Sequence, residues 1–248
     1  MDGINVLTDP VWSKRPSPVS FSGPVRVHPP GLSLQDLPPI DLILISHNHY
    51  DHLDLPTIQW IVARDRPRVY TGLGNGEFLN KEGITPVTEM DWWETDAISE
   101  ALQVTCAPAQ HFSGRGLCDT YRTLWAGYVL ESPAGSVFFA GDTGFGPHFE
   151  EISRRFHAIR LALLPIGAFR PEWFMSAAHL SPKEALNANF ILKARNSVAM
   201  HIGTFRQGDD AQDEAPTILS AAVGRTDMRV TTFRVMAPGE SRSIPPFE

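Results

Sequence analysis

His47-Asn48-His49-Tyr50-Asp51-His52 places three imidazoles and a carboxylate within six residues. A His-x-His-x-Asp-His run rarely arises by chance, and these side chains are the ordinary ligands of divalent metals. It follows Asp41 to Ile45 (Asp-Leu-Ile-Leu-Ile), an apolar run that reads as a buried strand. In open α/β sheets, ligand sites gather beyond the carboxyl ends of strands. The same arrangement recurs three times. His111 follows a strand from Leu102 to Cys106, Asp142 follows Phe138-Phe139-Ala140-Gly141, and His201 follows Val198-Ala199-Met200. If those strand ends share one edge, five imidazoles and two carboxylates converge there. That is too many ligands for one tetrahedral zinc and suits two ions sharing a carboxylate. Two cations would also stabilise polar groups that are otherwise costly to bury.

Outward from that stretch, apolar runs alternate with amphipathic ones. Leu55 to Arg64 reads as a helix, and Leu124 to Leu130 with Ser136 to Ala140 reads as a hairpin around Ser132-Pro133-Ala134-Gly135. Pro147 to Phe156 reads as a short helix and Ile159 to Leu164 as a buried strand. Ser181-Pro182-Lys183-Glu184 combines an N-cap serine, a proline at the first helical position and a glutamate three residues after the cap, predicting a helix to about Ala194. Ser197 to Met200 is expected to be a strand, Ala215 to Val223 a helix stopped by Gly224, and Arg229 to Met236 a final strand. The proline-dense stretch from Pro10 to Pro39 reads as an ordered loop, because too little chain precedes it to form a domain. Asp2-Gly3 is a hairpin-turn signal with a strand, Ile4 to Leu7, on one side only. It marks either a flexible terminus or the loss of an upstream strand. The class is mixed α and β, expected as one domain over residues 1–248.

Composition narrows the function. With 21 Lys+Arg against 28 Asp+Glu, the chain carries −7, which argues against a nucleic-acid partner. Hydrophobic residues at 42% and charged residues at 20% supply a sizeable core and exclude a disordered chain. Two cysteines, Cys106 and Cys118, exclude a disulfide scaffold and an all-cysteine metal site, and both read as small core residues. No signal peptide or membrane span is visible, so the expected location is cytoplasmic, with peripheral membrane contact left open along with the oligomeric state.

The order His-x-His-x-Asp-His, a distant His, Gly-Asp and a late His resembles the metallo-β-lactamase superfamily of di-metal hydrolases. Within it, the sequence is most similar to the N-acyl-phosphatidylethanolamine-hydrolysing phospholipase D branch. That resemblance is carried by Leu7-Thr8-Asp9-Pro10, Leu37 to Asp41, Ile45 to Asp54, Asp91-Trp92-Trp93-Glu94, Gln110-His111-Phe112, Phe138 to Gly144, Pro165 to Ala168, Trp173-Phe174-Met175 and His201 to Phe205. It implies an α+β fold, the αββα sandwich, here expected to lack its first N-terminal strand. It also implies that His47, His49 and His111 hold one metal, that Asp51, His52 and His201 hold the second, and that Asp142 bridges them. His179 falls where the branch has a histidine near substrate, so Asp51 and His179 are the candidate catalytic residues.

Two zinc ions are the expected cofactors. The imidazole at His49, where di-iron members of the superfamily carry a glutamate, favours zinc, with manganese or iron as alternatives. The expected chemistry is hydrolysis of a phospholipid or other small phosphodiester by a hydroxide that bridges the metals, its pKa lowered toward 7. A lactonase or another hydrolase on the same site is the alternative, as is an inactive or truncated member. His179 would orient substrate or protonate a leaving alkoxide. Among the arginines, Arg170 is the favoured phosphate contact over Arg115 and Arg122. Trp92-Trp93 and Trp173-Phe174-Met175 read as core packing before pocket lining. Gly72-Leu73-Gly74-Asn75-Gly76 lacks dinucleotide-fingerprint spacing and shows no helix start after it.

Overall fold

The computed structural model describes residues 1–229 and 231–247. Its first sheet holds four parallel strands in the order β1 (Val6–Thr8), β2 (Leu42–Ile45), β3 (Arg68–Gly72) and β4 (Val87–Met90). Helices α1 (Leu55–Asp65) and α2 (Gly76–Lys81) make its crossovers. The second sheet has seven strands, ordered β11-β10-β9-β8-β7-β6-β5. These are β5 (Thr95–Ala97), β6 (Gln103–Ala107), β7 (Gly127–Glu131), β8 (Ser136–Phe139), β9 (Ile159–Pro165), β10 (Asn196–Met200) and β11 (Thr232–Arg234). Helices α3 (His148–Arg155), α4 (Glu172–Met175), α5 (Pro182–Leu192) and α6 (Glu214–Val223) complete the chain.

Alternation in β2 explains the layering. Leu42 and Leu44 enter the core between the sheets with Tyr70, Val104, Tyr128 and Phe139. Ile43 and Ile45 point the other way, onto Ile58, Ile61 and Val62 of α1 and Leu79 of α2. A strand buried on both faces must be apolar throughout, which is why this one reads Leu-Ile-Leu-Ile. The outer face of the second sheet is covered likewise by Phe149 and Ile152 of α3, Leu186 and Leu192 of α5, and Leu219 of α6. The result is the expected αββα sandwich. Each fully buried Leu or Ile contributes roughly 2 kcal/mol.

Most elements fall where periodicity places them, and the α5 capping box forms in full: the Ser181 hydroxyl accepts from Glu184 N, and the Glu184 carboxylate accepts from Ser181 N at 2.9 Å. Several details differ. The hairpin strand begins at Gly127 rather than Leu124. A short helix, α2, does start at Gly76, the last residue of the glycine-rich run. Of the expected last strand only Thr232–Arg234 is a described strand, and Val230 lies outside the described residues. Cys106 is buried and burial pushes its thiol up to about 12, but Cys118 is exposed and not a core residue. Asp2 and Gly3 both take positive φ, and Met1 and Ile4 exchange backbone bonds of 2.7 and 2.9 Å across them, closing a two-residue turn. β1 stands at the end of its sheet.

His148 opens α3 buried, with Nε2 3.1 Å from the Thr143 hydroxyl. Burial pulls its pKa down to about 4. The unfolded chain, with an ordinary histidine near 6.5, therefore binds more protons between pH 6.5 and 4. The stability His148 contributes is complete above pH 6.5 and is lost as pH falls toward 4, up to about 3 kcal/mol. Urea midpoints at pH 7 and pH 4.5 should accordingly diverge less in His148→Gln than in the wild type. An equal divergence would show that His148 does not set the acid limit.

Candidate metal centre

The strand directions bring the candidate residues together. β6 and β8 are both antiparallel to β7, so they run the same way, and β9 and β10 continue parallel to β8. The carboxyl ends of β6, β8 and β10 thus share one edge, and His111, Asp142 and His201 follow them. The two sheets are tied there by the Tyr128 hydroxyl donating to Ile45 O at 3.0 Å and by Ala126 N donating to Ser46 O at 2.9 Å. The hexapeptide leaves β2 at that same edge. Gly141 has φ +60°, and a Cβ on it would lie 2.6 Å from the Ser46 Cβ. Only glycine lets the Asp142 loop approach the hexapeptide this closely.

Two groups of potential ligand atoms result. His47, His49 and His111 form one, with His49 Nδ1 2.8 Å from His47 Nε2 and 3.3 Å from His111 Nε2. Asp51, His52, Asp142 and His201 form the other. Asp142 Oδ2 lies 3.1 Å from His52 Nε2, 3.3 Å from His201 Nε2, 3.9 Å from His111 Nε2 and 3.9 Å from His179 Nδ1, so it stands between the groups. All seven sequence-predicted ligands and His179 are brought together.

Electrostatics fit a cation. Burial, then the neighbouring His52, His111 and His49, holds the His47 pKa well below its usual value. Burial, helped by the neighbouring imidazoles, pulls His49 down and takes His111 to about 3. These imidazoles are neutral at pH 7, the form that donates a lone pair to a metal. Burial opposes ionisation of Asp142, yet His201 and His52 hold its carboxyl well below the carboxylate range. Burial also opposes the charge on His52, and Asp142, Asp51 and Asp9 outweigh it. Asp142 Oδ1 is buried without a hydrogen-bond partner among the described residues. A cavity rich in carboxylates and neutral imidazoles, with such an atom left over, is able to bind a metal.

The outer contacts are ones the sequence reading missed. Asp9, at φ +40°, accepts from Ser46 N at 2.7 Å and holds His52 Nδ1 at 2.6 Å. Ser46 Oγ lies 2.9 Å from His47 Nδ1, and Ala178 O lies 2.9 Å from His111 Nδ1. Outer hydrogen-bond partners of this kind, whether carboxylate, hydroxyl or carbonyl, fix the tautomer and aim of a ligating imidazole. Asp9→Asn is expected to weaken zinc affinity by about 10–100-fold, read by competition with a chromophoric chelator. Unchanged affinity would show that Asp9 does not orient His52.

Other expectations are corrected. Arg170 is not available for phosphate: Nε donates to Glu214 at 2.9 Å and Nη1 to Glu172 at 3.0 Å. Arg115 is structural, donating from Nη1 to Asn48 O and Leu53 O, both at 2.8 Å. Trp92 and Trp93 pack against the two cores as expected, but Trp173 and Phe174 are 83% and 65% exposed. The Pro10–Pro39 stretch is tied down through Asp54, which accepts from Trp12 N at 3.1 Å and Ser13 N at 2.9 Å.

A four-layer sandwich with this cluster at its sheet edge defines a metal-dependent hydrolase. The chain belongs to the β-lactamase superfamily: the family described as "Beta-lactamase superfamily domain" matches residues 4–202. It is 35% identical to N-acyl-phosphatidylethanolamine-hydrolyzing phospholipase D 1 of Caenorhabditis elegans over 97% of this chain and 71% of that protein. An uncharacterized protein of Mycobacterium tuberculosis is 39% identical over 97% of this chain and 64% of its own length. The chain therefore spans roughly two thirds of these relatives. Among solved structures, a metallo hydrolase from Ignicoccus hospitalis superposes with TM-score 0.69 at 23% identity, covering 97% of this chain and 90% of that one. A possible metal-dependent hydrolase from Veillonella parvula gives 0.75 at 16% identity, over 97% and 92%. No helix among the described residues is long and apolar enough to cross a membrane.

Proposed function

We propose that the chain is a di-zinc phosphodiesterase that cleaves N-acyl-phosphatidylethanolamine or a closely related phosphodiester. The observation that carries the reading is Asp142 Oδ2 standing within 3.9 Å of imidazoles from both ligand groups. His47, His49 and His111 would hold one ion, Asp51, His52 and His201 the other, and Asp142 would bridge them. Bound there, two divalent ions supply a water of lowered pKa and neutralise charge growing on substrate oxygens. The choice of a phosphodiester is supported by the nematode relative, and by a yeast relative of the same activity name that is 36% identical over 82% of this chain.

The chain's own residues do the positioning. Asp9 aims His52, and Ser46 aims His47. His179 is pulled by burial to about 4, so it meets substrate as a neutral imidazole. It then serves as a hydrogen-bonding guide to the phosphoryl or leaving-group oxygen rather than as a charged acid. Its Nδ1 is buried with no hydrogen-bond partner among the described residues.

The test is release of phosphatidic acid from N-acyl-phosphatidylethanolamine vesicles by zinc-loaded protein, with chelator-treated protein as control. Chelator-sensitive release is expected. Its absence from protein holding two ions would move the reading to another hydrolase on this site. That second reading is favoured by a metal-dependent hydrolase of Methanopyrus kandleri, 30% identical over 83% of this chain and 79% of its own length.

A further inference from the structure

A cavity of about 560 Å3 opens beside the second ligand group, with Asp51, His52, Asp142 and His201 in its wall. It runs between the loop after β10 and the Pro-rich segment, which Val27 N ties to Thr204 O at 2.9 Å. Four carboxylates line it, Asp9, Asp51, Asp142 and Asp210, with two guanidiniums, Arg26 and Arg206. Three of the carboxylates have work already. Asp9 holds His52, and Asp51 and Asp142 belong to the ligand cluster. Asp210 accepts from Ala168 N at 3.3 Å and Arg170 N at 3.4 Å. Arg26 donates Nε to Ser13 O and Nη2 to Val11 O while stacking over Phe205. Arg206 differs from all of them. It is exposed at the cavity wall, with no hydrogen-bond or ion-pair partner among the described residues.

We propose that Arg206 is a specificity-determining residue whose guanidinium holds the anionic oxygens of a phosphate-bearing substrate in this cavity, beside the metal cluster. This deepens the phosphodiesterase reading and rests on it. A guanidinium fork matches two phosphate oxygens at once, and an unpaired one gives up no internal bond to do so. The carboxylates of the cluster would repel an anion from the metal-free protein. Metal loading removes that repulsion, so anion binding should depend on the ions and be strengthened by Arg206. Apolar Val11, Val27 and Phe205 in the same wall leave room for the esterified carbon beside the phosphate.

The experiment compares wild type, Arg206→Ala and Arg206→Lys, all zinc-loaded, with Arg154→Ala as a remote cation control. Two quantities are read: inorganic phosphate binding by calorimetry, and KM and kcat for N-acyl-phosphatidylethanolamine and for a neutral lactone. Arg206→Ala is expected to weaken phosphate binding and raise the diester KM by about tenfold each. Its kcat and its lactone KM should change far less, and lysine should rescue only in part. Phosphate affinity and diester KM equal to wild type would overturn the proposal. So would an equal rise in KM for diester and lactone, which marks a general distortion of the site. Weakened phosphate binding in an enzyme that cleaves no diester would uphold the anion subsite while the phosphodiesterase reading fails.

Discussion

Asp142→Asn should lower hydrolytic turnover on the order of 10^3-fold and reduce bound zinc below two per chain, while the folded structure persists. The expectation follows from position. Asp142 Oδ2 lies within 3.9 Å of a ring nitrogen of each of His52, His201, His111 and His179. An amide keeps the shape but removes the negative charge that His201 and His52 stabilise. It also replaces one oxygen with a nitrogen that cannot ligate as an anion. Loss of a group that organises transition-state charge costs about 10^2–10^3 in rate, and here it also costs an ion. Metal analysis and turnover of the same preparation check it. Two zinc ions and turnover within tenfold of wild type would remove Asp142 from the bridging role.

The second large effect concerns Arg115. Its guanidinium lies 3.9 Å over the Tyr50 ring and donates to Asn48 O and Leu53 O, which bracket most of the ligand loop. Gly114 N donates to the Asn48 side chain at 2.7 Å, and the Tyr50 hydroxyl donates back to Arg115 O at 3.1 Å. The 113–116 segment thus clamps the hexapeptide from outside. Arg115→Ala strands two carbonyls and forfeits the ring contact, so a loss of about 3 kcal/mol is expected. Weaker zinc binding should accompany it, because the loop carrying four ligands is no longer held. Urea unfolding and chelator competition measure the two effects. A change below about 0.5 kcal/mol would show the clamp to be idle.

The ligand set was legible because its chemistry is local. Four ligands fall within six residues, and the other three each follow an apolar run that ends a strand. What holds them was not. Asp9 is one carboxylate in a loop, and nothing in its neighbours announces a partner 43 residues away. Arg115 lies 62 and 67 residues from the carbonyls it satisfies. Arg170 was misread for the same reason: Glu172 is visible two residues on, but Glu214 is brought in only by the fold. Several of the missed elements share a cause too. β5 (Thr-Asp-Ala) has no apolar alternation, and α2 and α4 span six and four residues, too short to show a helical period. β4 is buried only at Met90, so its pattern is weak. Exposure of Trp173 and Phe174 could not be read from aromaticity, which marks core and surface sites alike.

The central claim is a two-ion centre at the junction of the ligand groups. Its most direct test is the zinc content of zinc-loaded, desalted protein by plasma mass spectrometry, normalised to chain concentration. Two ions per chain are predicted for the wild type. One ion or fewer in the folded protein would contradict the account.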